Sequence, residues 1–189
     1  MNRLDDFDVL ILPGVGGSGP DHWQSFWQKA FPGFRRVEQD SWELPVYSAW
    51  AQRLSDVVGQ CKRPIVLVGH SLGTSLTMRW AHDHPVLARK VAGAFLVATT
   101  DIERFEGKGG TPAVGFAPML LAPLPFPSVV VASHNDERVS FERASEFAEA
   151  WGSCLIDVGE LGHIGSAARL GVWPAGLVYF GQFLAGLQR

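Results

Sequence analysis

Cysteine is scarce: only Cys61 and Cys154 are present, far apart and each beside an apolar run. That spacing excludes a disulfide framework, and both read as reduced thiols without a functional part. A basic run is missing too. The 16 Lys and Arg stand against 19 Asp and Glu, for a net charge of −3, so the electrostatic footprint of a nucleic-acid or anionic-membrane partner is absent. The opening MNRLDDFDVLILPG carries aspartates where a secretory leader carries basic residues, and its apolar segment is too short to cross a bilayer. A cytoplasmic protein is expected. Internal repeats and linkers rich in Ser and Pro are also lacking. Residues 1–189 are therefore expected to form a single domain, 47% hydrophobic, with a core that needs no metal or disulfide. The oligomeric state is left open.

What is present is an alternation. Apolar runs at Val9 to Pro13, Ile65 to Gly69, Ala92 to Thr99, Ser128 to Ser133 and Cys154 to Gly159 show no polar alternation, as strands of a parallel sheet covered on both faces do. Between them, His22 to Phe31, Tyr47 to Gly59, Leu72 to His82, Phe141 to Trp151 and Pro174 to Leu187 show helical spacing. The order predicts a three-layer α/β fold, with a mostly parallel central sheet, helices on both faces and the ligand site at the carboxyl ends of the strands. One long stretch, Asp101 to Pro127, is heavy in Gly and Pro and breaks the rhythm.

The stretch PIVLVGHSLGTS, Pro64 to Ser75, runs from a strand through G-x-S-x-G into a helix. That context is the one a nucleophile elbow requires: a strained turn lifts the Ser71 hydroxyl above the sheet, and Gly69 and Gly73 let strand and helix pass closely. A helix cap is the blander reading of Ser71, but capping does not call for the glycine pair.

A serine needs a base and the base needs an orienting acid, in the chain order Ser, acid, His for this topology. VVVASHNDERV places Asp136 just past a strand, and LIDVGELGHIG places His163 in the loop after the last one. Asp101 also follows a strand and is the alternative acid, whereas Asp157 reads as an edge carboxylate. His70 is expected to point away from the hydroxyl, and His22, His82, His84 and His134 read as surface or locally bonded.

Two backbone amides are expected to form an oxyanion hole: Leu72, directly after the nucleophile, and Val15, in the loop LPGVGGSGPDHW after the first strand. That loop has neither a G-K-[ST] ending nor a G-x-G-x-x-G with a suitable acid, which argues against a nucleotide. No cofactor and no metal are expected. Asp21 reads as a helix N-cap, with Trp23 and Trp27 facing the sheet. Gly16, Phe116 and Met119 are expected to line a shallow substrate pocket.

Through the glycine-rich loop with DHW, the elbow GHSLG, the segment PLPFPSVVVASHNDERV and the closing GHIGSAARLGVWPAG, the chain resembles the small serine hydrolases of the YdeN type, within the α/β-hydrolase superfamily. The resemblance implies an α/β-hydrolase core without a substantial lid, a nucleophile at Ser71, an acid at Asp136, a base at His163, and ester or peptide-like substrates. The chain departs from that pattern at Glu137 and Gly165, neither a triad member. The expected activity is cleavage of small carboxylic esters through an acyl-serine. An aminopeptidase or amidase, and a protein-binding module on a hydrolase scaffold, are the alternatives.

Overall fold

The computed structural model describes residues 4–105 and 113–187. Six strands form one sheet in which every pairing is parallel: β1 (Asp8–Leu12), β2 (Phe34–Arg36), β3 (Ile65–His70), β4 (Val91–Val97), β5 (Ser128–Ala132) and β6 (Cys154–Asp157). Their spatial order is β2-β1-β3-β4-β5-β6. The chain steps outward from β1 to β2 and then returns to the other side of β1 to begin β3. That reversal opens a crevice at the carboxyl ends of β1 and β3, where ligands bind in open α/β sheets.

Side chains alternate across the sheet with period two, so each strand feeds two cores. Leu10, Leu12, Leu67, Leu96 and Val130 face one core, which is completed by α2 (Tyr47–Gln60), α3 (Leu72–Asp83) and α6 (Phe141–Trp151). Val9, Ile11, Val68, Phe95 and Val131 face the other, where α1 (Trp23–Ala30) and α7 (Pro174–Gly186) pack. Both faces of β3 and β5 are buried along their whole length, the physical reason their sequences carry no alternation. Two one-turn helices, α4 (Pro85–Ala88) and α5 (Ile102–Phe105), complete the set. Among the described residues no helix is long and apolar enough to cross a membrane. Both cysteines are free thiols; Cys61 is buried and Cys154 exposed.

Besides β6, an edge strand that is mostly exposed rather than covered on both faces, the structure departs from expectation at three places. The sheet gains β2, a three-residue edge strand with two arginines that pairs only with β1. The N-cap of α1 is His22, not Asp21: the His22 ring Nδ1 accepts the Gln24 amide at 3.1 Å. Trp23 and Trp27 do face the sheet, their rings 4.7 Å apart at centroid and edge to face.

The third concerns Phe116 and Met119, which are core residues, 0% and 4% exposed, and do not line the pocket over Ser71. Phe116 meets Tyr47 and Trp50 of α2 edge on, with centroids 5.6 and 5.7 Å away. The Arg79 guanidinium of α3 ties the segment down by donating to the carbonyls of Gly115 and Ala117 at 2.8 and 2.6 Å. The described part of the Gly- and Pro-rich stretch is thus a strap across α2 and α3, not a lid over the crevice. Residues 106–112 of that stretch lie outside the described residues.

Candidate active site

The turn from β3 into α3 holds Ser71 at φ 55°, ψ −123°, a region costly for any residue with a Cβ. Its amide is fixed by the Val97 carbonyl at 3.0 Å, and its hydroxyl makes no capping bond to α3. The tight crossing explains the glycines. A Cβ on Gly73 would lie 2.0 Å from the Leu12 carbonyl oxygen, and one on Gly14 would lie 2.7 Å from the Ser71 Cβ.

The freed hydroxyl meets two partners. Ser71 Oγ lies 2.8 Å from His163 Nε2 and 2.9 Å from Thr100 Oγ1. His163 Nδ1 lies 2.9 Å from each carboxylate oxygen of Asp136, whose side chain is only 1% exposed. An ionised carboxylate only accepts, so Nδ1 carries the ring proton and Nε2 is left to accept from Ser71. Asp136 is held in turn by the Arg138 amide at 2.7 Å. Asp101, the alternative acid, faces Arg143 at 3.5 Å instead. Asp157 pairs with His134 at 2.8 Å on the exposed edge.

The two loops that carry Asp136 and His163 are stitched together by their neighbours. Asn135 Oδ1 accepts the Gly162 amide at 2.6 Å and the Ser133 hydroxyl at 2.9 Å, while Ser133 Oγ accepts the Leu161 amide at 2.8 Å. From the other side, His70 Nε2 donates to the His163 carbonyl and Trp23 Nε1 to the Ile164 carbonyl, both at 2.9 Å. His70 thus engages the backbone of the base itself.

Behind the site three imidazoles lie in sequence: His22 and His70 meet edge to face with ring centroids 4.5 Å apart, and His70 and His163 are tilted with centroids 5.1 Å apart. Burial pushes the His22 pKa down to about 3, helped by Arg36 and His163. Burial likewise holds His70 well below the ordinary imidazole range, with His22 and His163 adding to the effect. Both rings are therefore neutral near pH 7. The His22 Nδ1 accepts, so Nε2 bears the hydrogen, a buried donor without a partner among the described residues. Such a group costs about 1–3 kcal/mol unless something fills the place. Among the described residues no cluster of acidic, thiol or imidazole groups could hold a metal ion.

A pocket of about 400 Å³ opens over Ser71. Gly16, named above for the pocket, lies on its wall with Val15 and Leu72, the two residues named for the oxyanion hole, joined by His22, His70, Thr100, Arg138, His163 and Gly165. The amides of Gly16 and Gly17 are spent on the carbonyls of Trp42 and Gly14. Those of Val15 and Leu72 have no hydrogen-bond acceptor among the described residues and belong to residues on the pocket wall. Apart from Val15 and Leu72, the wall is glycine, hydroxyl, imidazole and guanidinium. Thr100, Arg138, and His22 as a wall residue, were not foreseen; Thr100 could have been found only from its place at the end of a strand, one residue before Asp101.

A serine hydrolase family model matches residues 9–182. The solved structure of a YdeN-like hydrolase from Pectobacterium atrosepticum is 32% identical, aligned over 96% of this chain and 92% of that one, with a TM-score of 0.85. The ydeN gene product of Bacillus subtilis, at 18% identity over 94% and 98% of the two chains, has a TM-score of 0.68. A thermophilic esterase from Thermogutta terrifontis, at 16% identity over 93% and 89%, has a TM-score of 0.64. These last two show the shared fold alone. No curated protein matches the chain. An all-parallel sheet of the α/β-hydrolase fold and a family match over nearly its whole length lead to one conclusion: this chain belongs to the serine hydrolase family and is a hydrolase of the YdeN-like kind.

Proposed function

We propose that the protein cleaves small carboxylic esters by acyl transfer to water through Ser71, with Asp136 and His163 completing a triad. The observation that carries this reading is the unbroken relay from Ser71 Oγ to His163 Nε2 at 2.8 Å and from Nδ1 to Asp136 at 2.9 Å. His163 takes the hydroxyl proton as Oγ bonds to the acyl carbon, and the carbonyl electron pair moves to oxygen. The amides of Val15 and Leu72 receive that oxyanion. Collapse expels the alcohol, which leaves with the proton held on His163. Water then attacks the acyl-serine, giving its proton to the same ring, and the second collapse returns an electron pair and that proton to Ser71.

The pocket wall bears on acyl size. A buried methylene is worth ~0.8 kcal/mol only where apolar surface receives it, and here Val15 and Leu72 are the only apolar side chains on the wall, Leu72 itself almost fully buried. Acyl groups of about two to six carbons should be preferred. A nitrophenyl ester series from acetate to palmitate, run beside aminoacyl anilides, tests this. A fluorophosphonate should label Ser71 and nothing else, and labelling that persists in Ser71→Ala overturns the assignment. Faster turnover of anilides identifies an amidase, and a protein that turns over neither class is a binding module on this scaffold.

A further inference from the structure

We propose that Thr100 is a catalytic residue for the release of the acyl group from Ser71. This rests on the acyl-serine reading above and deepens it. The starting point is the 2.9 Å contact between the two hydroxyls, made by a threonine 4% exposed on the pocket wall. The direction of that bond follows from counting protons. Asp136 holds the His163 proton on Nδ1, so Nε2 must accept and Ser71 must give its only hydrogen there. The Thr100 hydroxyl is therefore the donor and a lone pair of Ser71 Oγ the acceptor.

The threonine is held for this task. It follows β4, whose last residue Val97 pairs with His70, so the register of the sheet sets it beside the nucleophile. The amide of the next residue, Asp101, donates to the Arg138 carbonyl at 3.2 Å, locking the turn to the one that carries Asp136. Among the described residues Ser71 is the only hydrogen-bond partner of the Thr100 hydroxyl.

A donor aimed at Oγ acts unequally on the two halves of the reaction, because the oxygen changes character. In the free enzyme it is a hydroxyl, an ordinary acceptor. In the acyl-enzyme it is the bridging oxygen of an ester, a poor one. As the second tetrahedral intermediate collapses, the bond from the acyl carbon to Oγ breaks, the electron pair passes to Oγ and the His163 proton follows. Negative charge grows on that oxygen, and a hydrogen bond to it strengthens. Measured from the acyl-enzyme, the gain is large. Measured from the free enzyme, which already enjoys the bond, it is small. Thr100 lends a hydrogen bond and keeps its own proton.

The test is stopped-flow kinetics of nitrophenyl acetate hydrolysis with the wild-type chain, Thr100→Val and Thr100→Ser, reading the acylation burst and the single-turnover decay of the acyl-enzyme separately. Thr100→Val should slow deacylation about tenfold or more, lower kcat and KM together, and leave kcat/KM within about threefold. Thr100→Ser, which keeps the hydroxyl, should restore most of the decay rate. A merely structural role predicts otherwise: kcat/KM falling as far as kcat, or no rescue by serine, overturns the proposal. Fluorophosphonate labelling of each variant at the wild-type rate shows that the site is intact. A wild-type chain that forms no acyl-serine defeats the mechanism above and this inference with it; an acyl-serine that Thr100→Val releases at the wild-type rate defeats this inference alone.

Discussion

The His70 ring donates a hydrogen bond of 2.9 Å to the backbone carbonyl of His163, so the residue before the nucleophile holds the loop of the base. Ser71 and His163 are 92 residues apart in sequence, yet this bond and the one between their side chains make a single closed unit. The His163 loop also contains Ile164 at φ 48°, a strained backbone that needs such restraint.

Removing that clamp should loosen the base without removing it. His70→Phe is expected to lower kcat about tenfold, with KM nearly unchanged, because a misplaced base costs geometry in the transition state rather than substrate binding. His70→Gln retains a donor and should recover part of the loss. Steady-state kinetics on nitrophenyl acetate decide; equal losses in the two variants would show that the ring packs but does not position.

Acid should destabilise the fold through its buried imidazoles. His22 titrates at about 3 in the folded chain against 6.5 for a free imidazole, and His70 is also well below 6.5. Between those values the unfolded chain binds protons that the folded chain refuses. Stability is then full above pH 6.5 and declines as pH falls toward 3, by up to ~1.4 kcal/mol per pH unit for each histidine. His22→Asn keeps an acceptor for the Gln24 amide and should flatten the decline by up to one histidine's share. Urea unfolding at several pH values from 7 to 4 measures both slopes.

Two glycines should behave in opposite ways. Gly73→Ala would push a methyl to 2.0 Å from the Leu12 carbonyl oxygen, against the Leu12 and Pro13 backbone rather than a side chain that could yield. A loss of more than about 3 kcal/mol, or failure to fold, is expected. Gly165 has an ordinary extended backbone, and a Cβ there would meet nothing nearer than 3.8 Å. Gly165→Ala should stay within about 1 kcal/mol of the wild type. Thermal and urea unfolding of the pair provide the check.

For the acid, Asp136→Asn should cut kcat about 10³- to 10⁴-fold with the fold retained, since the amide favours the wrong tautomer of His163. Asp101→Asn, which only weakens a pairing with Arg143, should leave activity within about threefold. The reverse ranking, read from kcat/KM of the two purified variants, would move the acid one strand earlier.

What the sequence alone determined follows from local rules. Strands buried on both faces must be continuously apolar, so β3, β4 and β5 announced themselves, as did the amphipathic α1, α2 and α6. Ser71, Asp136 and His163 could be named because each lies just beyond an apolar run, and a parallel sheet brings all such turns to one edge. β2 stayed hidden because three residues with two arginines form a strand only when β1 is there to pair with them. Asp21 and His22 are both able to cap a helix, and the choice fell to the ring that could be buried against His70. Phe116 and Met119 carry no periodicity; their fate was decided by where the strap crosses α2. Thr100 and His70 became parts of the site only through the register of β3 against β4 and the approach of the His163 loop. A lone hydroxyl or imidazole has no signature in sequence, because its role is set by atoms brought near it from dozens of residues away.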